Sequence, residues 1–346
     1  MLSVIFKNLI ECLPKPSLVE DIVVGNVLQP GAGATTARMA AFHAGLPQST
    51  SVCAINRQCS SGLQAVASVA ASIKAGYIDI GIGAGVESMT HYYGPGAIPS
   101  NLSQIVLENQ DASACLIPMG LTSENVSKIF NISRKDQDIF ALKSHEKAAK
   151  AQADGAFKDE IVPVRNVSED DGIRKDATID SLSRLNPSFQ KDGMTTPGNA
   201  SQVSDGAAGV LLMRRSKAVE LGLKPVGVFR GFVVKGCDPR IMGIGPVFAI
   251  PELLKQTRID LSQIDLIELN EAFASQSIYC IRKLGLDPAR VNPLGGAIAL
   301  GHPLGATGSR QIATILGEMK RRNLRFGIVS MCIGTGMGAA ALIERA

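Results

Sequence analysis

Tryptophan is absent from the 346 residues of this chain, and tyrosine occurs only four times. Proteins that bind single-stranded nucleic acid by stacking need several exposed aromatic rings, so this scarcity argues against such a role. The net charge of +4 is small, and no stripe of lysine and arginine stands out in the sequence. We therefore expect no nucleic-acid partner, whereas an anionic small-molecule substrate is compatible with the charge.

The sequence also lacks an apolar run long enough to cross a bilayer, and we expect no membrane span. Its seven cysteines are odd in number and form no C-x-x-C pair, which favours reduced thiols over a disulfide framework. The four histidines do not have the spacing of metal ligands, so we expect no metal site.

Hydrophobic residues make up 45% of the chain and charged residues 19%, as in ordinary globular proteins. The periodicity predicts helices at 1–12, 35–44, 61–75, 133–156, 250–257 and 307–321. It predicts strands at 21–25, 51–55, 79–85, 160–164, 207–213, 226–234, 265–269 and 326–332. Strands that alternate with helices indicate an α/β fold with mostly parallel sheets covered by helices.

Cys59 lies between the strand 51–55 and the helix that follows Ser60. The backbone N–H groups and the positive dipole end of a helix N-terminus favour a thiolate, so Cys59 is a candidate nucleophile. The alternative is a small buried core residue, because cysteine is among the most buried residue types.

The C-terminal third repeats the order of elements that surrounds Cys59. Cys59 follows Asp21 by 38 residues, and His302 follows Asp265 by 37. The segment Cys59-Ser-Ser-Gly62 thereby aligns with His302-Pro-Leu-Gly305. Only two copies are present, so we expect a duplicated α/β half rather than a solenoid. The two turns should bring a cysteine and a histidine to equivalent helix N-termini.

Four blocks of the sequence resemble the signature blocks of the thiolases: Asn56–Ala65, Asn270–Ala274, Gly295–Gly308 and Cys332–Gly338. The resemblance covers essentially the whole chain and is greatest to the peroxisomal type of 3-ketoacyl-CoA thiolase. It implies an α/β fold of two duplicated halves, layered α-β-α-β-α, with mixed and mostly parallel sheets. The first half would comprise 1–90 and 197–222, an inserted loop lobe 91–196, and the second half 223–346.

The same resemblance implies thiolytic cleavage of 3-ketoacyl-CoA in fatty-acid β-oxidation. Cys59 would attack the keto carbon and hold the acyl group as a thioester, so the kinetics should be ping-pong. His302 would take the Cys59 proton, and Cys332 would protonate the departing acetyl-CoA enolate. Asn270 and His302 would stabilise that enolate, and the backbone N–H groups of Cys59 and Gly334 the tetrahedral intermediate.

The substrate contacts follow from the resemblance and from charge. Met119 would line the acyl pocket, although a core role is also open for a methionine. Arg184, Lys191 and Arg214 are candidates for the phosphates of CoA, with a solvated surface charge as the alternative. CoA would act as a substrate, and we expect no permanently bound cofactor and no metal.

The family comparison implies a homodimer in the peroxisome, with the cytoplasm as the alternative compartment. An acetoacetyl-CoA thiolase and a non-catalytic family member are the other functions that we consider. A nucleotide-dependent dehydrogenase is a poor match, because the glycine-rich turns at 81–85 and 334–338 read G-x-G-x-G, not G-x-G-x-x-G.

The repeat predicts one departure from the family pattern. The strand 226–234 begins 39 residues before Asp265, and the same offset from Asp21 falls before residue 1. We therefore expect the first half to lack its opening strand. We expect that strand to belong inside the sheet, where its loss would leave backbone groups unpaired and lower the stability of the chain.

Overall fold

The computed structural model describes residues 1–94 and 101–346, so positions 95–100 of the predicted lobe lie outside it. Fourteen helices of the described residues are α1 to α14: Leu2–Ile10, Ala34–His43, Ser61–Ala75, Met89–Tyr92, Gln104–Leu107, Gln110–Ala114, Met119–Ile129, Arg134–Ala153, Ile179–Ser183, Arg215–Glu220, Pro246–Thr257, Ala274–Leu284, Ala297–Leu300 and Thr307–Arg321. None of them is long and apolar enough to cross a membrane.

Eight strands, β1 to β8, complete the described fold: Asp21–Gly25, Ser51–Ile55, Ile80–Ser88, Asp205–Met213, Gly227–Gly236, Leu266–Leu269, Phe326–Ile333 and Met337–Arg345. The predicted helices are confirmed to within a few residues, and α14 has its predicted bounds. The helix predicted from Ser133 is α8, because the Ser133 hydroxyl accepts the Asp136 N–H and caps it.

Two four-stranded sheets carry the architecture. The first has the order β2-β1-β3-β4 and the second the order β5-β8-β7-β6. The sheets are mixed, as predicted. Among the described strands three pairings are parallel (β1 with β2, β1 with β3, β6 with β7) and three are antiparallel. In each sheet three of the four strands run in the same direction and only β4 or β8 runs opposite to them, so the predicted mixed and mostly parallel sheets are confirmed. The strand β8, which the sequence analysis did not identify, accounts for two of the antiparallel pairings.

Helices cover both faces of each sheet, which gives five layers. Helices α1 and α2 bury Phe6 and Ala41 against the outer face of the first sheet. On the second sheet, α11 and α12 bury Leu253 and Cys280. Between the sheets, α3 and α14 pack on each other through an apolar cluster that includes Leu63 and Ile312. The α-β-α-β-α layering is thus confirmed.

The two central helices begin side by side. A Cβ atom on Gly62, near the start of α3, would lie 2.7 Å from the carbonyl oxygen of Gly305. A Cβ on Gly305 would lie 2.6 Å from the carbonyl oxygen of Gly25. Only glycine allows backbones to approach so closely, so these residues bring the two helix starts together. The turns that carry Cys59 and His302 therefore meet, as the repeat predicts.

The opening strand expected for the first half belongs at a sheet edge, so its predicted interior position is wrong. Its counterpart in the second half is β5, which pairs with β8 alone among the described strands. In the first sheet β4 corresponds to β8 of the second sheet, because β4 is antiparallel to β3 as β8 is antiparallel to β7. The lower stability stays a prediction, as do the boundaries of the two halves and the lobe.

The strand predicted at 160–164 is also wrong. The structure has turns there and one isolated bridge between Val164 and Val167. Pro163 cannot donate to a sheet ladder, and no described strand lies alongside. Glu160 instead turns towards α14, where its carboxylate accepts the Thr314 hydroxyl at 3.0 Å. Burial raises the pKa of Glu160 to about 7, and Arg310 opposes the shift.

This raised pKa predicts how stability depends on pH. The folded state keeps the Glu160 proton at pH values where the unfolded chain has lost it, so the stability contribution is complete below about pH 4.5 and is lost as the pH rises through about 7. Glu160→Gln should reduce this loss by about 1 to 3 kcal/mol. Urea unfolding of both proteins between about pH 4 and pH 8 measures the difference. Equal pH slopes would contradict the assignment.

Candidate active site

Cys59 sits in a tight turn between β2 and α3. The residue before it, Gln58, has a left-handed backbone with φ of 48°, and the Ser61 hydroxyl accepts the Arg57 N–H at 2.9 Å while donating to the Gln58 carbonyl. The turn aims the Cys59 side chain between the two halves, where it is 8% exposed. The backbone N–H groups of Gly334 and of Cys59 itself lower the pKa of this thiol.

Burial decides the protonation of this cysteine. It raises the pKa of Cys59 to about 11, although the two backbone N–H groups favour the thiolate. The prediction of a thiolate that is favoured by the helix N-terminus is therefore wrong for the resting site. Cys59 is a thiol at neutral pH, and a base must take its proton before the sulfur can attack.

His302 lies on the adjoining turn, and two contacts hold its ring. The imidazole is 4% exposed, and its Nδ1 lies 2.7 Å from the Thr307 hydroxyl. That hydroxyl donates its proton to the carbonyl of Pro303, so it accepts the Nδ1–H of His302. The other ring nitrogen, Nε2, accepts from the Asn270 amide nitrogen at 3.3 Å. Both contacts select the tautomer whose Nε2 lone pair faces the site.

The electrostatic setting keeps this histidine neutral. Burial, with the positive charge of Arg310, lowers the pKa of His302 to about 3. A neutral imidazole and a neutral thiol therefore coexist over most of the pH range. The pair can pass to thiolate and imidazolium when a substrate arrives, which is the arrangement of a nucleophile with its general base.

Cys332 completes the group at the end of β7. It is fully buried beside Met242, Ala272 and Phe273. Burial raises its pKa well above the usual range, and the neighbouring Cys59 raises it further. A protonated thiol at this place can donate a proton to carbon, and the thiolate left behind can take one back.

Hydrogen-bond donors and one unsatisfied acceptor surround these side chains. The Gly334 N–H stabilises negative charge on the Cys59 sulfur, and a donor of this kind can also stabilise an oxygen anion on an attacked carbonyl carbon. The oxygen of the buried Asn270 amide has no partner within the described residues. Such an atom is costly unless a water or a substrate group donates to it, so the site has a place for a ligand.

The predicted substrate residues differ in position. Met119 packs against the Cys332 cluster, and its sulfur lies 3.6 Å from where a Cβ on Gly334 would be. Arg184 is 75% exposed and pairs with Asp180 at 2.7 Å, and Lys191 is exposed. Arg214 binds Asp79 and the carbonyl of Ile73. It therefore lies at the far end of α3, about 22 Å from the Cys59 turn, and its contact with CoA stays a prediction.

Two aromatic residues that the sequence analysis did not single out lie beside Cys332 and Met119: Phe273 packs with Cys332, and Phe189 packs on Phe273. The ring of Phe189 meets that of Phe273 edge to face at 6.5 Å. Phe189 also covers Gly120, where a Cβ would lie 2.3 Å from its ring. Phe273 lies in a signature block and could have been found there. No local pattern marks Phe189, which comes from the lobe.

Comparison with known proteins identifies the architecture. A family model described as the thiolase N-terminal domain matches residues 1–216, and one described as the thiolase C-terminal domain matches residues 223–345.

The chain belongs to the thiolase family.

Named relatives of this thiolase are peroxisomal enzymes. It is 56% identical to 3-ketoacyl-CoA thiolase B, peroxisomal, of Rattus norvegicus, over 95% of this chain and 81% of that protein. It is 58% identical to 3-ketoacyl-CoA thiolase 2, peroxisomal, of Arabidopsis thaliana, over 95% of this chain and 75% of that protein. The dimeric peroxisomal thiolase of Saccharomyces cerevisiae superposes with a TM-score of 0.95 at 51% identity, covering 100% of this chain and 90% of that one.

Thr307 offers a test of how this thiolase holds its base. Thr307→Val keeps the shape but removes the oxygen that accepts the His302 Nδ1–H, so the imidazole loses its fixed tautomer. We expect kcat to fall at least tenfold, a fraction of what general bases contribute, about 10²- to 10⁴-fold.

Thr314→Val on the same helix is the matched control, because Thr314 bonds Glu160 away from the site. It should retain wild-type kcat. An equal loss in both variants would show that helix α14, rather than the imidazole, had been disturbed.

Proposed function

We propose that this chain is a 3-ketoacyl-CoA thiolase, which uses CoA to cleave 3-ketoacyl-CoA to acetyl-CoA and an acyl-CoA shortened by two carbons. The observation that supports the proposal most is the presence of three buried groups where the two halves meet: the Cys59 thiol, the imidazole of His302 and the Cys332 thiol. The identity of 55% or more to peroxisomal 3-ketoacyl-CoA thiolases points to the same reaction.

In the first half-reaction, the Cys59 sulfur attacks the keto carbon as its proton passes to Nε2 of His302. The tetrahedral alkoxide then collapses and the bond between the α and β carbons breaks. The acyl group stays on Cys59 as a thioester, and the bonding electrons form the enolate of acetyl-CoA. The Cys332 thiol gives its proton to that carbon, and acetyl-CoA leaves.

In the second half-reaction, free CoA attacks the Cys59 thioester. The imidazolium of His302 first returns its proton to the Cys332 thiolate. The neutral imidazole then takes the CoA thiol proton and gives it to the Cys59 sulfur as that sulfur leaves. Both side chains are then ready for another cycle. Burial, which makes each charged intermediate costly in the empty site, favours steps in which protons move with the bonding electrons.

Each half-reaction develops a negative oxygen that needs fixed donors. The backbone N–H groups of Cys59 and Gly334 support the alkoxide on the acylated carbon, since both favour negative charge on the sulfur beside it. Asn270 and the imidazolium of His302 support the enolate. The unpartnered oxygen of Asn270 can hold a water there, which would donate its second proton to the enolate.

CoA acts here as a substrate, and the proposal needs no resident cofactor. The acyl chain would run along Met119 beneath Phe189 and Phe273. Lys191, two residues beyond Phe189 and exposed, would bind the phosphates of CoA. Arg184 is a weaker candidate, because its guanidinium already pairs with Asp180.

A pair of acyl donors separates the roles of the two cysteines. Acetyl-CoA can acylate Cys59 by thioester exchange alone, whereas a 3-ketoacyl-CoA must also break a carbon–carbon bond. Cys332→Ala should therefore acylate at a near wild-type rate with acetyl-CoA. With acetoacetyl-CoA its acylation should slow by about 10²- to 10⁴-fold, the worth of a general acid.

Peptide mass spectrometry of the quenched reactions measures both rates. Cys59→Ala should carry no acyl group with either donor, and Cys12→Ala, an exposed cysteine, should match the wild type. The absence of any adduct on folded wild-type protein would overturn the proposed function. Equal slowing of Cys332→Ala with both donors would contradict the role given to Cys332.

We further propose that the chain forms a homodimer through the edge of β2, since a superposable yeast relative is described as dimeric. Ser51 N–H and Ile55 C=O bond towards β1, so the backbone of Val52 and Ala54 faces outwards. Nearby α2 exposes Met39 by 63% and Phe42 by 45%. An open strand edge beside apolar side chains is typical of an association surface.

Ala54→Pro tests this edge, because it removes an outward N–H while leaving the pairing with β1 intact. A dimer that pairs along β2 should become a monomer in sedimentation equilibrium, with its circular dichroism retained. Val219→Ala, a change at a 72% exposed apolar residue on α10, should leave the assembly unaltered. A folded Ala54→Pro protein that stays dimeric would place the interface elsewhere.

We also propose that the protein works in the peroxisome, in keeping with the named relatives in rat and Arabidopsis. Fluorescence microscopy of the tagged protein in its own cells tests the compartment, and a cytosolic signal would contradict it.

A further inference from the structure

The pairing register shows that the catalytic pair of the second half has a counterpart in the first. In the second half Leu269 pairs with Ser330. Asn270 lies one residue after Leu269, and Cys332 lies two residues after Ser330. In the first half Gly25 pairs with Gly85. One residue after Gly25 is Asn26, and two residues after Gly85 is Glu87, so Asn26 corresponds to Asn270 and Glu87 to Cys332. A carboxylate therefore occupies the place where the second half has the Cys332 thiol.

Glu87 is completely buried, and four donors surround its carboxylate. One oxygen, Oε2, accepts the N–H of Val27 and the N–H of Gly305, both at 3.0 Å. The other, Oε1, accepts the Leu28 N–H at 3.2 Å and the Asn26 amide at 3.3 Å. A carboxylate that stabilised only the first half would need donors from that half alone. One donor to Glu87 is instead Gly305, which belongs to the second half.

The Gly305 bond reaches the turn that carries His302. This turn runs from His302 to Thr307, whose hydroxyl holds the imidazole. The Gly305 N–H is a fixed point between those two residues, and its only acceptor within the described residues is Glu87. Without that acceptor the buried N–H would be unsatisfied, and the turn would have to shift to regain a partner.

We propose that Glu87 is a positioning residue for the thiolase reaction. It holds the His302 turn of one half against the Cys59 turn of the other and so sets the distance between base and nucleophile. The inference deepens the proposed function and rests on it, because the roles of Cys59 and His302 are those of that proposal.

The negative charge of Glu87 acts on the pKa of Cys59, an effect that a purely structural residue would not have. Burial is the main cause of the raised pKa of Cys59, and the negative charge of Glu87 raises it further. Asp205, at the start of β4, is the other acidic group whose field acts on Glu87, and the three backbone N–H groups oppose both burial and that field. Removing the Glu87 charge should therefore make the Cys59 thiol easier to ionise.

Two substitutions of Glu87 separate its effect on the position of the His302 turn from the effect of its negative charge on Cys59. Glu87→Gln keeps the length but turns an amide N–H₂ towards two donors, so it disturbs the turn and removes the charge. Glu87→Asp keeps the charge but cannot reach Gly305 without a shift. We expect kcat for acetoacetyl-CoA to fall about tenfold or more in both. The pH midpoint for alkylation of Cys59 by iodoacetamide should fall in Glu87→Gln alone.

Glu124→Gln is the matched control. Glu124 is another buried carboxylate that accepts backbone N–H groups, here of Met194 and Thr195, away from Cys59. It should lose stability yet keep the wild-type midpoint for Cys59 alkylation. A midpoint that falls equally in Glu87→Gln and Glu124→Gln would overturn the proposal, because general loosening would then explain both.

The remaining outcomes are also decisive. Wild-type kcat in a folded Glu87→Asp or Glu87→Gln protein would overturn the positioning role. If Glu87→Gln does not fold, Glu87→Asp still decides, since loss of kcat with an unchanged alkylation midpoint supports the proposal. Alkylation needs no turnover, so a wild-type protein that alkylates at Cys59 but never forms an acyl-enzyme would refute the proposed function separately.

Discussion

The structure depends on the close meeting of two helix N-termini between the sheets. Gly62 and Gly305 leave no room for side chains there, and their backbones touch across the internal repeat. That contact brings the Cys59 turn of one half against the His302 turn of the other. It also removes both turns from water. A larger residue at either glycine would part the halves at the point where the chemistry takes place.

Burial at this junction sets the protonation states. A helix N-terminus alone would favour a thiolate, but desolvation is the larger effect, and it raises the pKa of Cys59 to about 11. The same burial lowers the pKa of His302 to about 3. The resting site therefore holds two neutral partners. Charges form only when a substrate supplies the electrophile. His302 then becomes an imidazolium, and fixed N–H groups stabilise the new oxygen anion on the attacked carbonyl.

Much of this arrangement could be predicted from the sequence. The repeat placed Cys59 and His302 at equivalent helix starts, because its two spacings, of 38 and 37 residues, differ by one. Other features required the fold. Strand β8 is rich in alanine and follows a glycine turn, so its sequence has little strand signal. Phe189 reaches Phe273 through the lobe, and only the fold shows that Arg214 lies at the far end of α3, beside Asp79 and Ile73. Glu160 sits in an apolar run that Pro163 prevents from pairing.

Glu87 illustrates why register matters more than residue type. Nothing in the sequence distinguishes it from other acids at strand ends, and its likeness in position to Cys332 emerges only when the two sheets are aligned by their pairing. The repeat thus has a thiol at this position in one half, and in the other a carboxylate that binds the turn of its partner half.

The most direct test of the account is the charge state of Cys59 in the resting protein. Ultraviolet difference absorbance between wild type and Cys59→Ala reports a thiolate at neutral pH without any substrate. The account predicts no difference near neutral pH and a thiolate that develops only in strongly alkaline solution, because burial holds the proton on the sulfur. One thiolate per chain at neutral pH, lost in Cys59→Ala, would contradict the central claim that His302 must deprotonate a thiol.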